Sequence, residues 1–392
     1  MFLERDIKKE LIDASKKYPA VIITGPRQSG KTTLAKKVFS HKTYLSLEDI
    51  DIRDFADSDP RAFLNRLPDG AILDEIQRAP VLLSYIQGIL DSSGEKGLFI
   101  LTGSNQFSLL DSINQSLAGR VLLSRLLPLS INELMPVAGS FDVDDYIFKG
   151  FYPGIYSAKL NPVKAYNAYY QTYVERDVRS LINIKDLSLF NKFMKLCAGR
   201  TGQILNANSL ANEVGVSNKT IVSWLSILQA SYIIYLLPPW HDNISKRLIK
   251  SPKLYFYDVG LASFLLGNRR KEHIATHPLR GNLFENMVIM DLIKEVLNKG
   301  MEPDFYFYRD SNGNEVDLLI PDGNSFIPME IKSTGTFHAN LLKSNNYINK
   351  VYPDRIKDSY LIYSGEIEQE VKGISIINYK NLHKLGYVWE NI

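Results

Sequence analysis

The stretch GPRQSGKT, Gly25 to Thr32, sets two glycines, a lysine and a hydroxyl at the spacing of a phosphate-binding loop. Glycines allow the tight turn whose backbone N–H groups cradle phosphate oxygens, and the helix that opens at TTLAKKVF adds the positive end of its dipole. Gly25, Pro26, Arg27, Gln28, Ser29, Gly30, Lys31, Thr32 and Thr33 are the expected contacts to a nucleotide. In such a loop the lysine reaches the β- and γ-phosphates, and the hydroxyl of Thr32 ligates Mg²⁺. The acid that chemistry needs stands at the end of GAILDEIQ, where three apolar residues lead into Asp74 and Glu75. Asp74 would hold the metal through water, and Glu75 would polarise the attacking water. LFILTGSNQF ends a further apolar run in polar groups, with Ser104 or Asn105 able to sense the γ-phosphate. LAGRVLLSRLLPLS offers Arg120 and Arg125 as the arginine that stabilises the leaving charge, and Arg120 is the preferred candidate. Such an arginine acts in cis or from a neighbouring copy, so a homo-oligomer is compatible with the pattern. ATP and Mg²⁺ are the expected cofactors.

A second group of chemically able residues lies in NEVDLLIPDGNSFIPMEIKS, Asn314 to Ser333. Two apolar runs joined by PDGN read as a hairpin. Alternation along a strand puts Glu330 and Lys332 on one face, where a carboxylate and an ammonium can converge. With Asp317 on the first strand and Glu285 on a preceding helix, the set would supply Mg²⁺ ligands and a lysine to orient water on a phosphodiester. Glu315, two residues before Asp317, shares its strand face and is an extra or alternative ligand. The E-x-K spacing is weak by itself, since Glu370 and Lys372 repeat it inside the charged run GEIEQEVKG. The bland reading is a solvated hairpin whose acids pair with neighbouring lysines.

The elements that must position these residues change along the chain. Up to about residue 130, AVIITG, TYLSL, AILDE and LFILTG alternate with amphipathic stretches, which predicts a parallel sheet covered by helices. Beyond it the pattern turns helical, and the tyrosines of VKAYNAYYQTYVERDVRSLI recur at the spacing of a buried helix face. NANSLANEVGVSNKTIVSWLSILQ reads as two helices around a tight turn, with Gly215 in the turn and Ser217 capping the second. YIIYLLPPW and KLYFYDVG follow as strands, as in a winged helix. Its candidates for DNA contact are Asn218, Lys219, Thr220 and Ser223, with Arg200, Lys246, Arg247 and Lys250 nearby. A helix and three strands after residue 281 predict a second α/β domain.

Composition excludes several classes. The chain has 392 residues, 45% hydrophobic and 23% charged, which is neither disordered nor fibrous and is long enough for two or three domains. A net charge of +3 is too small to declare a nucleic-acid partner, so DNA contact must come from a local patch. The single cysteine, Cys197, rules out a disulfide framework and a cysteine-held zinc or iron–sulfur site, and reads as a buried structural residue. The charged N-terminus lacks the apolar core of a signal peptide, and no run spans a membrane, so a cytoplasmic protein is expected.

VIITGPRQSGKTTLA, LEDIDIRDFADSDPRAFL, AILDEIQRAP, LTGSNQFSLL and LAGRVLLSRLLPLSINEL together resemble the AAA-type P-loop ATPases of a broad prokaryotic family. GFYPGIYS, YVERDVRSL and KLYFYDVGLASFLLG are similar to the rest of that family, so the resemblance covers nearly the whole chain. It implies an α/β fold: a P-loop core whose sensor strand lies between the loop strand and the Asp74 strand, a helical and winged-helix middle, and a C-terminal domain resembling PD-(D/E)XK, restriction-endonuclease-like nucleases. The expected divisions are 1–130 for the ATPase core, 131–196 for a helical lid, 197–255 for the winged helix and 256–392 for the nuclease-like domain. The expected activity is ATP hydrolysis coupled to a DNA-binding, metal-dependent nuclease. The alternative is a nucleotide-dependent switch whose nuclease-like domain is an inactive scaffold.

Overall fold

The structure is a computed structural model that describes residues 2–104, 116–179, 186–241 and 251–386. The chain forms two compact units. The first comprises Met1–Leu129, Ala230–Tyr232 and Leu297–Met301, and the second holds the remainder.

In the first unit, five apolar runs become strands β1 (Ala20–Thr24), β2 (Thr43–Ser46), β3 (Ala71–Asp74), β4 (Phe99–Gly103) and β5 (Val121–Arg125). They form one all-parallel sheet in the order β2-β3-β4-β1-β5. Strands β1, β3 and β4 are buried throughout, as expected for parallel strands covered on both faces. Alternation splits their side chains between two cores. Ala20, Ile22, Leu73 and Leu101 join Leu83 and Ile86 of the helix Val81–Ser93, whereas Val21, Ile23, Ile72 and Ile100 pack on Leu34 and Leu11. Because every strand points the same way, Thr24, Asp74 and Gly103 end at one edge, where open α/β sheets place their ligands. β4 lies between β1 and β3, the order that the family resemblance implies.

The second unit opens with helices Ile131–Ala138 and Val143–Lys149, each started by a capping box, Ser130 with Glu133 and Asp142 with Asp145. The long tyrosine-rich run is not one α-helix. Pro162–Tyr169 continues as π-helical turns over Tyr170–Val178. Its tyrosines are core, as their spacing predicts: Tyr166 and Tyr169 are buried, and Tyr166 donates to the buried Asp258 at 2.5 Å. Cys197 is also buried, which pushes its thiol above its ordinary value. Helices Ala207–Val214 and Asn218–Ala230 meet at Gly215, whose φ of +93° suits glycine, and the Ser217 hydroxyl accepts from the Thr220 amide at 3.1 Å. Strands β6 (Gln203–Ile204), β7 (Ile234–Leu237) and β8 (Lys253–Phe256) make a small antiparallel sheet in the order β6-β8-β7.

The helix Arg280–Asn298 precedes a mixed sheet of β9 (Tyr306–Arg309), β10 (Glu315–Asp322), β11 (Ser325–Lys332), β12 (Tyr360–Tyr363), β13 (Gln369–Val371) and β14 (Ile374–Asn378). Its order is β13-β14-β12-β11-β10-β9, with β11, β12 and β14 mutually parallel and the remaining pairs antiparallel. The PDGN turn does join β10 to β11 as a hairpin, in a register that pairs Leu318 with Met329. One step along, that register sets Asp317 opposite Glu330.

Gly70, in the turn that feeds β3, has φ +73°, and a Cβ there would lie 1.8 Å from the Leu98 carbonyl oxygen. Gly119 has a similar φ of +75° with nothing within 4 Å of an added Cβ. In denaturant unfolding, Gly119→Ala is expected to cost roughly 1 kcal/mol from backbone strain alone, and Gly70→Ala roughly 2 kcal/mol more. Equal costs would show that the Leu98 carbonyl yields.

Candidate functional site

The residues between β1 and the helix Lys31–Val38 wrap into a loop with three left-handed or glycine-only positions, Gly25 (φ +143°), Gln28 (φ +63°) and Gly30 (φ +94°). A Cβ on Gly25 would lie 2.1 Å from the Leu126 carbonyl oxygen, so the loop can run this close to the end of β5 only with glycine there. Arg5 braces the same place from outside the motif, donating to the carbonyls of Ser29 at 2.8 Å and Leu127 at 2.6 Å. Lys31 is buried, and its ammonium donates to the carbonyls of Gly25 at 3.0 Å and Pro26 at 2.8 Å. Burial pulls its pKa down to about 8, against the opposing charges of Glu75 and Asp74. Thr33 is exposed on the helix and turns away from the buried Lys31 side.

Asp74 is only 5% exposed and gathers hydroxyl groups. Thr32 Oγ1 donates to both of its oxygens, at 2.9 and 3.0 Å. The Tyr44 phenol donates to Oδ2 at 2.9 Å, and Thr102 donates to Oδ1. Burial and the Asp74 charge push the Tyr44 phenol up to about 12, so it remains a donor. Glu75 has φ +57° and ψ +50°, a strained conformation for a residue with a side chain. That turn aims its carboxylate at Ser104 Oγ, which donates at 3.0 Å, and at the Gln77 amide. The phosphate loop, the metal acid and the polar end of β4 therefore meet at one sheet edge. A divalent ion fits beside Thr32 and Asp74, which offer hard oxygen donors whose hydrogen-bond partners are neutral hydroxyls.

One expectation for this edge changes. Arg120 does not face the loop. It stands before β5, next to the Val121–Ala20 pair, so it lies at the opposite edge of the sheet, roughly 17 Å from the end of β1 at about 3.3 Å per residue. There it clamps Asp91 through two bonds of 2.5 and 2.9 Å. Arg125, aligned with Thr24, is the arginine at the loop end. Asn105 lies outside the described residues. Tyr44, Thr102, Gln77 and Arg5 were missed. Thr102 had a legible signal, being a hydroxyl on a strand adjacent to β3, whereas nothing in the spacing tied Tyr44 to Asp74.

In the second unit the hairpin brings Asp317, Glu330 and Lys332 together. Lys332 Nζ lies 3.2 Å from Asp317 Oδ2 and also binds Glu330 Oε1. The Ile331 amide donates to Asp317 Oδ2 at 2.9 Å. Sequence reasoning missed the residue at the centre of the cluster. Lys253, 2% exposed on β8, sets its ammonium 3.0 Å from Glu285 Oε1, 2.6 Å from Glu315 Oε1 and 3.7 Å from Asp317 Oδ1. Tyr255, two residues on and on the same strand face, donates to Glu285 Oε1 at 2.5 Å. A lysine opening the apolar run KLYFYDVG was the available signal, because a charge in a covered strand must find a partner.

Burial, then the Asp317 charge, raise Glu285 to about 7 and Glu330 to about 8. Asp317 is lowered: burial opposes its charge, but the ammonium groups of Lys332 and Lys253 outweigh it. The expectation for Glu285, Asp317 and Glu330 is a shared Mg²⁺. Among the described residues no group of three or more His, Cys, Asp or Glu is placed to hold a metal ion, and an ammonium stands between Glu285 and Asp317. On the helix-turn-helix, Lys219 is exposed, Arg200 is engaged by Glu213, and Lys246, Arg247 and Lys250 lie outside the described residues.

These features define an α/β protein with an AAA-type P-loop ATPase domain. An AAA domain model matches residues 17–135, and two domains of unknown function follow, DUF8612 over 140–272 and DUF4143 over 280–382. An uncharacterised protein of Mycobacterium tuberculosis is 30% identical over 342 residues, covering 86% of this chain and 75% of its own, and the chain belongs to the same family. Among solved structures, a Walker-type ATPase of Pyrococcus abyssi is 14% identical, with 67% of this chain and 96% of its own covered at a TM-score of 0.46. AMPPCP-bound DnaA from Aquifex aeolicus is also 14% identical, covering 57% and 85% at 0.30. No described helix is long and apolar enough to cross a membrane.

Two pH effects follow. A phosphate beside Lys31 restores its charge, so ATP binding at pH 8.5 is expected to take up most of one proton, and Lys31→Met should abolish the uptake. Calorimetry in buffers of different ionisation enthalpy measures it. Glu330, raised from its ordinary value near 4.5 to about 8, contributes stability that is complete below pH 4.5 and lost as pH climbs through 8. The thermal midpoint of the domain that carries it should fall between pH 6 and 9, and less steeply in Glu330→Gln.

Proposed function

We propose that this chain is an ATP-hydrolysing regulator whose P-loop domain works on Mg²⁺–ATP and whose C-terminal domain, nuclease-like in type, engages DNA without cutting it. The observation that carries the ATPase reading is the pair of bonds from Thr32 to Asp74, which joins phosphate loop and metal acid at one point. Backbone amides of residues 27–31 receive the phosphates, and the Lys31 ammonium exchanges its carbonyl partners for phosphate oxygens. Mg²⁺ held by Thr32 and Asp74 would neutralise charge on the β- and γ-phosphates. Glu75, turned by its left-handed backbone and held by Ser104 and Gln77, orients the attacking water.

For the rest of the chain the reading takes 131–196 as a helical lid, 197–255 as a winged helix and 256–392 as a PD-(D/E)XK-like domain. Support comes from the two helices around Gly215 followed by an antiparallel sheet, and from the convergence of Asp317, Glu330 and Lys332 on the β10–β11 hairpin. The metal-dependent version of this reading meets an obstacle in Lys253. A divalent ion does not fit among side chains arranged around an ammonium, so the version that binds without cleaving is favoured.

Glu75→Gln is expected to retain ATP yet lose about 10²-fold or more in turnover, and Lys31→Ala to lose ATP binding. The unchanged protein should retain linear or single-stranded DNA with an affinity that drops steeply with salt, and should leave it intact in Mg²⁺ or Mn²⁺ with or without ATP. Cleavage that disappears in Lys332→Ala would overturn the binding-only version.

A further inference from the structure

The four acids of the C-terminal cluster come from two strands and a helix, but the cation at their centre comes from a different sheet. β8 belongs with β6 and β7 beside the helix-turn-helix, and Lys253 is its first residue. Its ammonium stands over the Phe307 ring, 5.6 Å from the centroid, and reaches Glu285, Glu315 and Asp317. Three oxygen donors from three carboxylates around one small cation resemble the environment of a divalent ion, with an ammonium in its place.

The lysine is not a loose plug. β8 is hydrogen-bonded on one side to β6 and on the other to β7. Against the helix Arg280–Asn298 it is fixed in both directions by one side chain: the Phe256 amide donates to Asn286 Oδ1 at 2.7 Å, and Asn286 Nδ2 returns a bond of 2.8 Å to the Phe256 carbonyl. Tyr255 adds its bond to Glu285. The backbone that carries the lysine is therefore held on both sides, and the ammonium itself is kept in place by its three carboxylate partners. Lys332 completes the balance from the far side, bridging Asp317 and Glu330.

We infer that Lys253 is a covalently tethered counter-cation that occupies a divalent-ion site, so that Glu285, Glu315 and Asp317 form a latent metal site which the native chain keeps closed. The inference deepens the binding-only reading of this domain and rests on its nuclease-like geometry. An ammonium fixed by its own backbone has an effective concentration that free Mg²⁺ cannot match, and expelling it would leave a charge buried without its partners. A site closed in this way needs no divalent ion for its stability.

The test is Mn²⁺ binding to the full chain without nucleotide, by electron paramagnetic resonance and calorimetry, together with thermal unfolding. In the native chain, Mn²⁺ uptake should be the same with and without Asp317→Asn, and Mn²⁺ should leave the C-terminal unfolding midpoint unmoved. Lys253→Met should gain one site at least tenfold tighter than anything Asp317-dependent in the native chain, lose it again when Asp317→Asn is added, and rise in midpoint with Mn²⁺. Lys253→Gln, which keeps a hydrogen-bond donor, runs beside it in case the apolar variant does not fold. Asp317-sensitive Mn²⁺ binding by the native chain overturns the inference, and so does a folded Lys253 variant that gains no site. DNA retention is measured on the same samples, so loss of DNA binding with the metal pattern intact would sink the DNA reading alone.

Discussion

A carboxylate taken out of water must find its compensation inside the protein, and this molecule solves that problem in two different ways. Around Asp74 the compensation is neutral: hydroxyls of Thr32, Tyr44 and Thr102 donate to it. Hydroxyls can satisfy a carboxylate and still share it with a metal, since they bring no competing charge. Around Glu285, Glu315, Asp317 and Glu330 the compensation is cationic, through Lys253 and Lys332. Ammonium groups satisfy the same acids only by taking the place a metal would need. Both sites are made from buried acids, and the partner type decides what each can do.

Local backbone follows from those demands. At the first site, the parallel sheet delivers β1, β3 and β4 to one edge, and left-handed Glu75 swings its carboxylate toward Ser104 and Gln77 while Asp74 stays with Thr32. Glycine at position 25 lets the loop pass within contact of the Leu126 backbone, and Arg5 holds the loop there. At the second, the β10–β11 register sets Asp317 across from Glu330, with Lys332 of the same hairpin between them, while Glu285 takes its cation from a strand of another sheet. The clamp of Asn286 on Phe256 fixes the strand that carries Lys253.

The sequence was most readable where chemistry and local geometry coincide within a few residues. The phosphate loop, the AILDE strand and the PDGN hairpin each carry their signal in consecutive positions, and each appears where the spacing put it. The helix-turn-helix was legible for the same reason, through Gly215 and Ser217. What escaped was contact across the chain. Tyr44 meets Asp74 thirty residues away, and Lys253 meets Asp317 from another sheet; no periodicity encodes either. Arg120 and Arg125 lie five positions apart at opposite ends of β5, and only the strand direction says which arginine lies at the loop of the same chain. The long tyrosine run gave its burial correctly but not its π-helical turns, because spacing reports which face is covered and not how the backbone bonds are drawn.

The contrast between the two sites is tested most directly by a crystal structure grown with Mn²⁺ and a non-hydrolysable ATP analogue, with anomalous scattering collected at the manganese edge. The account predicts one strong peak beside Thr32 and Asp74, in contact with the nucleotide, and none among Glu285, Asp317 and Glu330, where density for the Lys253 ammonium should stand instead. A manganese peak in that second cluster, with Lys253 turned aside, would contradict it.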